Sequence, residues 1–249
     1  MSAKSCFETF PKRNDIKSLM MEIRNYFFPN YFEDSGKDEK SYKSKKLKLI
    51  KQLYCKYVCE DTVEPFLAKL DEIGDQLYRD LEFFYESDPA ADSKDEIVVA
   101  YPGYYAIAFY RIAHLIHSLG VNFVPRIITE IAHSKTGIDI HPACKIGCPF
   151  FIDHGTGIVI GETSEIGNFV KMYHGVTLGA LSLEGGQALH GKKRHPTIKD
   201  YVTIYAGASI LGGETVIEER AVIGSNVFIV NSIVKDTKVI YSENNIKIK

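Results

Sequence analysis

The chain has 249 residues, of which 45% are hydrophobic and 25% charged, the composition of a globular protein with one large domain or two ordinary ones. Its formal net charge of −2 gives no electrostatic argument for binding nucleic acid or an anionic membrane. No apolar run reaches the ~18 residues of a membrane span, and the N-terminal segment lacks the apolar core of a secretory signal, so we expect a cytoplasmic protein.

The cysteines do not form a recognisable metal or disulfide pattern. Their number is odd, and no pair has the two-residue gap of a zinc knuckle. We expect reduced thiols that serve as small hydrophobic side chains, and no metal site. The five are Cys6, Cys55, Cys59, Cys144 and Cys148.

Residues 1–136 have the apolar spacing of amphipathic helices and predict an α-helical N-terminal domain. Asp15 is the expected cap of the first helix, which should stop before Pro29. Residues 31–44 are polar and predict a loop. Further apolar stripes predict helices over 47–58, over 63–84 with an end at Ser87 before Pro89, over 104–119, and for a short stretch after Pro125.

Residues 137–241 have a different period, because large apolar residues recur every six positions. A six-residue repeat is typical of a parallel β-helix, in which three short faces of about 18 residues close one triangular coil. The predicted inward positions are Ile140, Ile146, Ile152, Ile160, Ile166, Met172, Leu178, Ile198, Ile204, Ile210, Val216, Val222, Phe228, Val234 and Ile240. Residues 242–249 are left as a C-terminal tail.

The repeat is interrupted in three places. Two extra residues fall around "DHGTG", residues 153–157. Residues 179–196 have no period and predict a loop ejected from the coil, a common position for functional residues. A competing series at Ile217, Ile223 and Ile229 suggests a one-residue bulge near residues 212–214.

The first interruption contains a candidate general base. His154 follows Asp139 by about one coil, so the two can lie on neighbouring coils, where a carboxylate would fix the tautomer of the imidazole. Gly155 and Gly157 permit a turn that directs the histidine out of the coil. The two-residue slip is therefore interpreted as a bulge that presents a catalytic side chain.

The second interruption ends in a cluster of cations or hydrogen-bond donors. Arg194 has the planar fork that binds a carboxylate through two hydrogen bonds, and His195 is next to it. Lys192 and Lys193 could contact phosphates or be solvated. The sequence leaves both possibilities for the lysines open.

Together with the repeat, the segments "DIHPACKIG", "IDHGTGIVIGET", "GVTLGA", "KRHPTI" and "ESDPAA" resemble the serine O-acetyltransferases, which make O-acetylserine for cysteine synthesis. The resemblance extends from about Asp88 to Val239. It implies an α-helical N-terminal domain followed by a left-handed parallel β-helix. It also implies a homotrimer, or a hexamer made of two trimers, with acetyl-CoA lying as co-substrate between neighbouring β-helices and no permanently bound cofactor.

The resemblance also assigns roles to individual residues. His154 matches the general base and Asp139 the aspartate that orients it. The residues matched to serine binding and to backbone contacts with CoA are Asp88 and Asp153 for the ammonium, Arg194 and His195 for the carboxylate, Glu162 as a further acid, and Ala180, Ala206 and Ser225 for CoA. L-Cysteine is implied as a feedback inhibitor.

The end of the chain departs from the family. It lacks the terminal isoleucine with which some relatives dock into O-acetylserine sulfhydrylase, and it finishes at Lys249. We therefore predict that the usual tight complex with that enzyme does not form.

Three other functions are compatible with a hexapeptide β-helix. An acyltransferase for sugars or chloramphenicol would have no use for residues that bind an ammonium and a carboxylate. A γ-type carbonic anhydrase would bind zinc through three histidines across a trimer interface. The candidates for such ligands are His141, His154, His174, His190 and His195. A non-catalytic trimeric scaffold would make the site residues incidental.

Overall fold

The computed structural model describes residues 10–34, 36 and 38–241. Over these residues the helices come first and the strands follow. The helices are α1 (Arg13–Phe27), α2 (Glu39–Tyr57), α3 (Val63–Ala68), α4 (Leu70–Ser87), α5 (Lys94–Ala100), α6 (Pro102–Ser118) and α7 (Val124–Thr136), with a 3₁₀ turn at Glu60–Thr62. Within the described ranges, no helix combines the length and apolar character needed to cross a membrane.

Several helix boundaries follow the sequence prediction, and others do not. α1 and α4 end shortly before Pro29 and Pro89 as expected. Asp15 is not the cap of α1; it lies in the first turn and accepts a hydrogen bond from the backbone N of Lys12 at 3.3 Å. The polar loop ends earlier than predicted, because Asp38 caps α2 by accepting from the backbone N of Ser41 at 3.0 Å.

The remainder is built from short strands. They are β1 (Asp139–Ile140), β2 (Lys145–Ile146), β3 (Phe150–Asp153), β4 (Val159–Ile160), β5 (Glu165–Ile166), β6 (Val170–Tyr173), β7 (Thr177–Gly179), β8 (Thr197–Ile198), β9 (Thr203–Ile204), β10 (Ser209–Leu211), β11 (Val216–Ile217), β12 (Val222–Ile223), β13 (Phe228–Ile229) and β14 (Lys238–Val239). A 3₁₀ turn, Gly186–Leu189, lies in the ejected loop between β7 and β8.

The strands form three parallel sheets, the faces of a β-helix. Face A has the order β1-β4-β7-β10-β13, face B the order β11-β8-β5-β2, and face C the order β14-β12-β9-β6-β3. The aliphatic residues predicted to point inward through Ile210 fill the interior and are buried, apart from the partly buried Ile146. The predicted fold, a helical N-terminal region followed by a left-handed parallel β-helix, is confirmed.

The irregularities of the repeat appear directly in the strand register. Ile140 pairs with Ile160, twenty residues later, whereas Ile160 pairs with Leu178 after the normal eighteen. Ile198 pairs with Ile217 after nineteen, which confirms the one-residue bulge. The inward series therefore continues through Ile217, Ile223 and Ile229, and the expectation that Val216, Val222 and Phe228 point inward is wrong. The same expectation is wrong for Val234 and Ile240, which are exposed.

A buried ion pair joins the helical region to the β-helix. Arg111 on α6 donates to both carboxylate oxygens of Asp80 on α4, at 2.5 and 2.8 Å, and both side chains are almost fully buried. Arg111 also donates to the carbonyl of Gly147 at 3.0 Å, and Asp80 accepts from the backbone N of Phe150 at 2.9 Å. The pair thus fixes the first coil against two helices.

The cysteines within the described part of the chain are buried or half-buried. Cys55, Cys59, Cys144 and Cys148 carry free thiols. Burial raises the pKa of Cys148 to about 11, so this thiol is protonated at neutral pH. Cys6 and the tail, residues 242–249, lie outside the described residues.

We predict that Asp80→Asn destabilises the protein strongly. The substitution preserves the size of the side chain but leaves the guanidinium of Arg111 buried without its counter-charge, which typically costs about 3–5 kcal/mol. Urea denaturation at one fixed protein concentration measures the effect, since assembly contributes to apparent stability. As the control, Glu64→Gln removes the exposed ion pair with Lys51 and should leave the midpoint unchanged. An unchanged midpoint for Asp80→Asn would contradict the structural role assigned to the pair.

Candidate functional site

The two-residue slip places His154 on the outside of the coil. His154 follows β3 with a φ of +55°, and Gly155 and Gly157 continue the turn with φ of +91° and +82°. A Cβ on Gly155 would lie 2.4 Å from the side chain of Ile138, so the turn requires glycine there. The side chain of His154 is 71% exposed. The predicted bulge that presents a histidine is therefore present in the structure.

His154 begins a line of turns that connects face C to face A, here called the C–A edge. His154 and His174 lie one above the other, with ring centroids 5.7 Å apart. The next turns contain Ala206 and Ser225, since Gly207 N donates to His174 O and Asn226 N to Ala206 O, each at 2.9 Å. Two of the three positions predicted to contact the coenzyme thus share an edge with His154.

Two predicted ammonium-binding carboxylates also lie near this edge. Asp88 ends α4; its Oδ1 accepts from the backbone N of Ala90 at 2.8 Å and its Oδ2 from the hydroxyl of Tyr101 at 2.7 Å. Burial, the hydrogen bond to Asp88 and the charges of Asp88 and Asp153 together raise the pKa of Tyr101. Burial, and then the charges of Asp153 and Asp88, also raise the pKa of Tyr173. The charges of both carboxylates therefore act on the same two phenols.

Asp153 also contacts the candidate base. Its Oδ1 lies 3.6 Å from Nδ1 of His154. Asp88, Asp153 and His154 thus form one group, in which the first residue comes from the helical region and the others from the β-helix.

The remaining predicted residues lie along the opposite side of face A. The turns that connect face A to face B, here called the A–B edge, carry Glu162, whose carboxylate forms an ion pair with Arg194 at the end of the ejected loop. Although burial alone would raise it, the hydrogen bond and charge of Arg194 hold the pKa of Glu162 below its usual range. His190 Nδ1 approaches the same carboxylate at 3.8 Å. Ala180 lies half-buried where the loop leaves this edge.

His195 is a neutral hydrogen-bond donor in this structure. Its Nδ1 accepts from the backbone N of Thr163 at 3.0 Å, which places the ring proton on Nε2. The ring lies directly on Gly161, where an added Cβ would be 2.2 Å from Nε2. Burial, followed by the charge of Arg194, lowers the pKa of His195 to about 4. Of the two roles left open by the sequence, cation or donor, the structure supports the donor.

His141, in the "DIHP" segment, has the same arrangement. Its Nδ1 accepts from the backbone N of Ala143 at 3.2 Å. Burial and the charge of Arg126 lower its pKa to about 4, while Glu162 acts in the opposite direction. Two neutral imidazoles with Nε2 protons therefore lie near the ion pair of Glu162 and Arg194. A cavity of about 360 Å³ opens beside them, lined in part by Glu162, Thr163 and Lys193.

Asp139 has a different partner from the one predicted. In the described part of one chain its carboxylate forms an ion pair with Arg126 at 3.0 Å, and the carboxylate that lies 3.6 Å from His154 is that of Asp153. Arg126 also pairs with Glu130. Side-chain atoms of Glu130, His133 and Asp139 lie within 4.8 Å of one another, a spacing compatible with a metal ion. However, the guanidinium of Arg126 already supplies a positive charge to Glu130 and Asp139.

The site residues of one chain therefore divide into two groups. Asp88, Asp153 and His154 lie at the C–A edge, while Glu162, Arg194 and His195 lie at the A–B edge. The sequence had no signal for Tyr101, one aromatic among many, or for Thr163. His141 could have been suspected only from its position near Asp139 in the motif. Arg126 could have been suspected only from its position on α7, the helix that precedes the motif.

Comparison with known sequences identifies relatives of the whole chain. No model of a protein family matches it. The chain is 39% identical to the plasmid-encoded serine acetyltransferase of Synechococcus elongatus, an alignment that covers 91% of this chain and 80% of that protein. It is 44% identical to the serine acetyltransferase of Helicobacter pylori over 61% of this chain and 85% of that protein.

Solved structures agree with these relatives. The chain matches serine acetyltransferase 1 of Entamoeba histolytica in complex with L-cysteine with a TM-score of 0.80, at 37% identity over 94% of this chain and 88% of that chain. The serine acetyltransferase of Neisseria gonorrhoeae in complex with serine matches with a TM-score of 0.67, at 27% identity over 92% and 82%. A serine acetyltransferase in complex with CoA matches with a TM-score of 0.64, at 26% identity over 90% and 80%.

We predict that His141 and His195 remain neutral well below the usual histidine range. Histidine-selective NMR should show both rings titrating near pH 4. Because the unfolded chain takes up these protons near pH 6.5, the two groups should also lower the free energy of unfolding as pH falls from 6.5 to 4. Gly161→Ala should displace the ring of His195 and raise its pKa, while Gly74→Ala, where a Cβ has room against Phe27, is the control. A His195 titration near pH 6.5 in the unmodified protein would contradict the buried neutral donor.

Proposed function

The chain belongs to the serine acetyltransferase family, and from this membership and the geometry of the two edges we propose how its residues carry out the reaction. The protein transfers the acetyl group of acetyl-CoA to the hydroxyl of L-serine, giving O-acetyl-L-serine and CoA in cysteine biosynthesis. The observation that carries this function is the 39% identity across 91% of the chain. The relatives and solved structures described above favour this activity over a sugar acyltransferase, a metal lyase or an inert scaffold.

His154 is the proposed general base. Its exposed imidazole takes the proton of the serine hydroxyl while the oxygen attacks the thioester carbonyl of acetyl-CoA. The tetrahedral intermediate then collapses, the carbon–sulfur bond breaks, and the proton on His154 passes to the leaving thiolate. Acetyl-CoA is a co-substrate in this scheme and leaves as CoA in each turnover.

Asp88 and Asp153 are the proposed ligands of the serine ammonium. The charges of both carboxylates act on the same two phenols, and Asp153 lies next to His154. A serine ammonium would be attracted to both carboxylates. An acceptor bound there by its ammonium group would have its hydroxyl within reach of His154.

Arg194 and His195 are the proposed ligands of the serine carboxylate. Arg194 is already held by Glu162, which fixes the direction of its planar fork. The neutral His195 adds a donor at Nε2 without adding charge. L-Cysteine has the same ammonium and carboxylate, and a neighbour is known with L-cysteine bound, so we propose that cysteine inhibits by competing with serine.

The separation of the two edges supports a site shared between subunits. The residues proposed to bind the serine ammonium lie at the C–A edge, and those proposed to bind its carboxylate lie at the A–B edge. The two edges are on opposite sides of face A. In a homotrimer packed through the β-helices, the C–A edge of one subunit faces the A–B edge of the next. The same packing would let Asp139 of one subunit approach His154 of another, and would place Ala206 and Ser225 on one wall of the CoA groove and Ala180 on the other. A pair of such trimers would retain the same sites.

We predict that His154→Ala lowers kcat by roughly 10²–10⁴, the usual contribution of a general base. His174→Ala, at the neighbouring exposed ring on the same edge, should retain most activity and is the control. CoA release from acetyl-CoA with L-serine, compared with L-homoserine and with no acceptor, measures the rate. Wild-type turnover in purified His154→Ala would remove this residue from the mechanism.

The shared site can be tested with the same variant. His154→Ala and Arg194→Ala chains, each nearly inactive alone, are co-expressed in equal amounts. In a closed ring assembled at random, one interface in four has both intact partners, so about a quarter of wild-type activity should return. Activity no greater than the sum of the separate variants would show that each site is built from a single chain.

The C-terminal tail supports a further proposal about partners. Its residues lie outside the described part of the chain, so the expected absence of a tight complex with O-acetylserine sulfhydrylase remains a prediction from the sequence. We predict no tight binding of the peptide 240–249 to a conventional O-acetylserine sulfhydrylase by calorimetry. The same peptide without Lys249, ending in Ile248 with a free carboxylate, is the positive control. Submicromolar binding of the full peptide would contradict the prediction.

A cytoplasmic location remains a prediction from the sequence.

A further inference from the structure

Tyr101 contacts one of the two carboxylates proposed to bind the ammonium, that of Asp88. Its hydroxyl donates to Oδ2 of Asp88 at 2.7 Å, and its ring is half-buried. The charge of Asp153 also acts on this phenol. The other oxygen of Asp88 accepts from the backbone N of Ala90. Each oxygen of Asp88 therefore has one fixed donor, and the orientation of the carboxylate is determined before any ligand arrives.

The backbone next to Tyr101 fixes it relative to the β-helix. Tyr101 precedes α6, whose first residue is Pro102. At Gly103 an added Cβ would lie 2.3 Å from the carbonyl oxygen of Ile152, which immediately precedes Asp153. The start of α6 thus packs directly on β3. This contact fixes the start of α6, and with it Tyr101, relative to the strand that ends in Asp153.

The hydroxyl has a physical task at this position. A neutral donor holds a carboxylate oxygen in one direction through a hydrogen bond to a charged group. Removal of the donor would let the carboxylate of Asp88 rotate, and this change weakens its interaction with an ammonium. The donor itself carries no charge, so it does not compete with the ammonium.

We propose that Tyr101 is a positioning residue of the acceptor site, which orients Asp88 toward Asp153 and thereby determines the affinity for acceptors that carry a free ammonium group. This inference rests on the proposed role of Asp88 in binding serine. Tyr101 acts through Asp88 and does not contact the reacting atoms.

The test is the steady-state kinetics of Tyr101→Phe, which removes the hydroxyl alone. A hydrogen bond to a charged group contributes about tenfold or more to an equilibrium constant. The KM for L-serine and the inhibition constant of L-cysteine should therefore both rise about tenfold, while kcat and the KM for acetyl-CoA change little. Tyr31→Phe is the matched control, because the hydroxyl of Tyr31 also donates to an aspartate, Asp95, at 2.6 Å, away from Asp153.

A double-mutant cycle separates positioning from a general structural effect. Asp88→Asn keeps an oxygen for the backbone N of Ala90 but removes the charge, and it should raise the KM for serine by itself. In that background, Tyr101→Phe should cost little more, because the residue through which it acts is already changed. Equal effects of Tyr101→Phe in both backgrounds, or an unchanged serine KM in the single variant, would overturn the proposal.

The outcomes also distinguish this inference from the function on which it rests. If Asp88→Asn leaves the serine KM unchanged, the proposed ammonium site is wrong. If Asp88→Asn raises that KM and Tyr101→Phe does not, the ammonium site stands and only the role of Tyr101 fails. Parallel loss of affinity for both substrates in Tyr101→Phe would indicate a general loss of structure and would count against positioning.

Discussion

The buried pair of Asp80 and Arg111 is the interaction on which the arrangement of the site depends. Each member contacts backbone of the first coil as well as its partner, so α4 and α6 are attached to the β-helix at one point by several hydrogen bonds. Asp88 lies at the end of α4, and Tyr101 lies just before α6. A displacement of either helix would move a carboxylate or a phenol relative to Asp153. The relative positions of Asp88, Tyr101 and Asp153 therefore depend on these helices keeping a constant position on the coil.

The β-helix supplies the second constraint, through the straightness of its edges. Every coil repeats the same three turns, so residues at equivalent turns form lines along the molecule. His154, His174, Ala206 and Ser225 follow one such line. A long substrate such as CoA fits a surface of this kind, since contacts to its reactive end and to its distant parts can be placed on successive coils. The residues of the C–A edge form only one wall of a groove. The residues of the A–B edge lie on the other side of face A in the same chain.

Most of the fold could be predicted from the sequence because the six-residue period has a direct physical cause, the burial of one apolar side chain on each short face. His154 could be predicted because an interruption of that period has few explanations. The change of register after residue 212 was harder to place, since both Val216 and Ile217 are aliphatic and only the strand pairing separates them. The beginning of α2 was missed because it depends on a single capping aspartate in a polar segment. Tyr101 and the neutral state of His195 depend on contacts between distant segments, which a linear reading of one sequence does not contain.

The ejected loop leaves the coil after β7 and returns at β8, and the strands on both sides pair as if nothing had been inserted. Leu178 lies opposite Ile210, and Gly212 N donates to Gly179 O, across the point of departure. The helical pitch is thus independent of how many residues the excursion contains. Arg194 and His195 are held at its returning end by Thr163, which belongs to the coil. Evolution can therefore lengthen, shorten or replace the outer part of this segment as a module, while Arg194 and His195 remain attached to an unchanged frame.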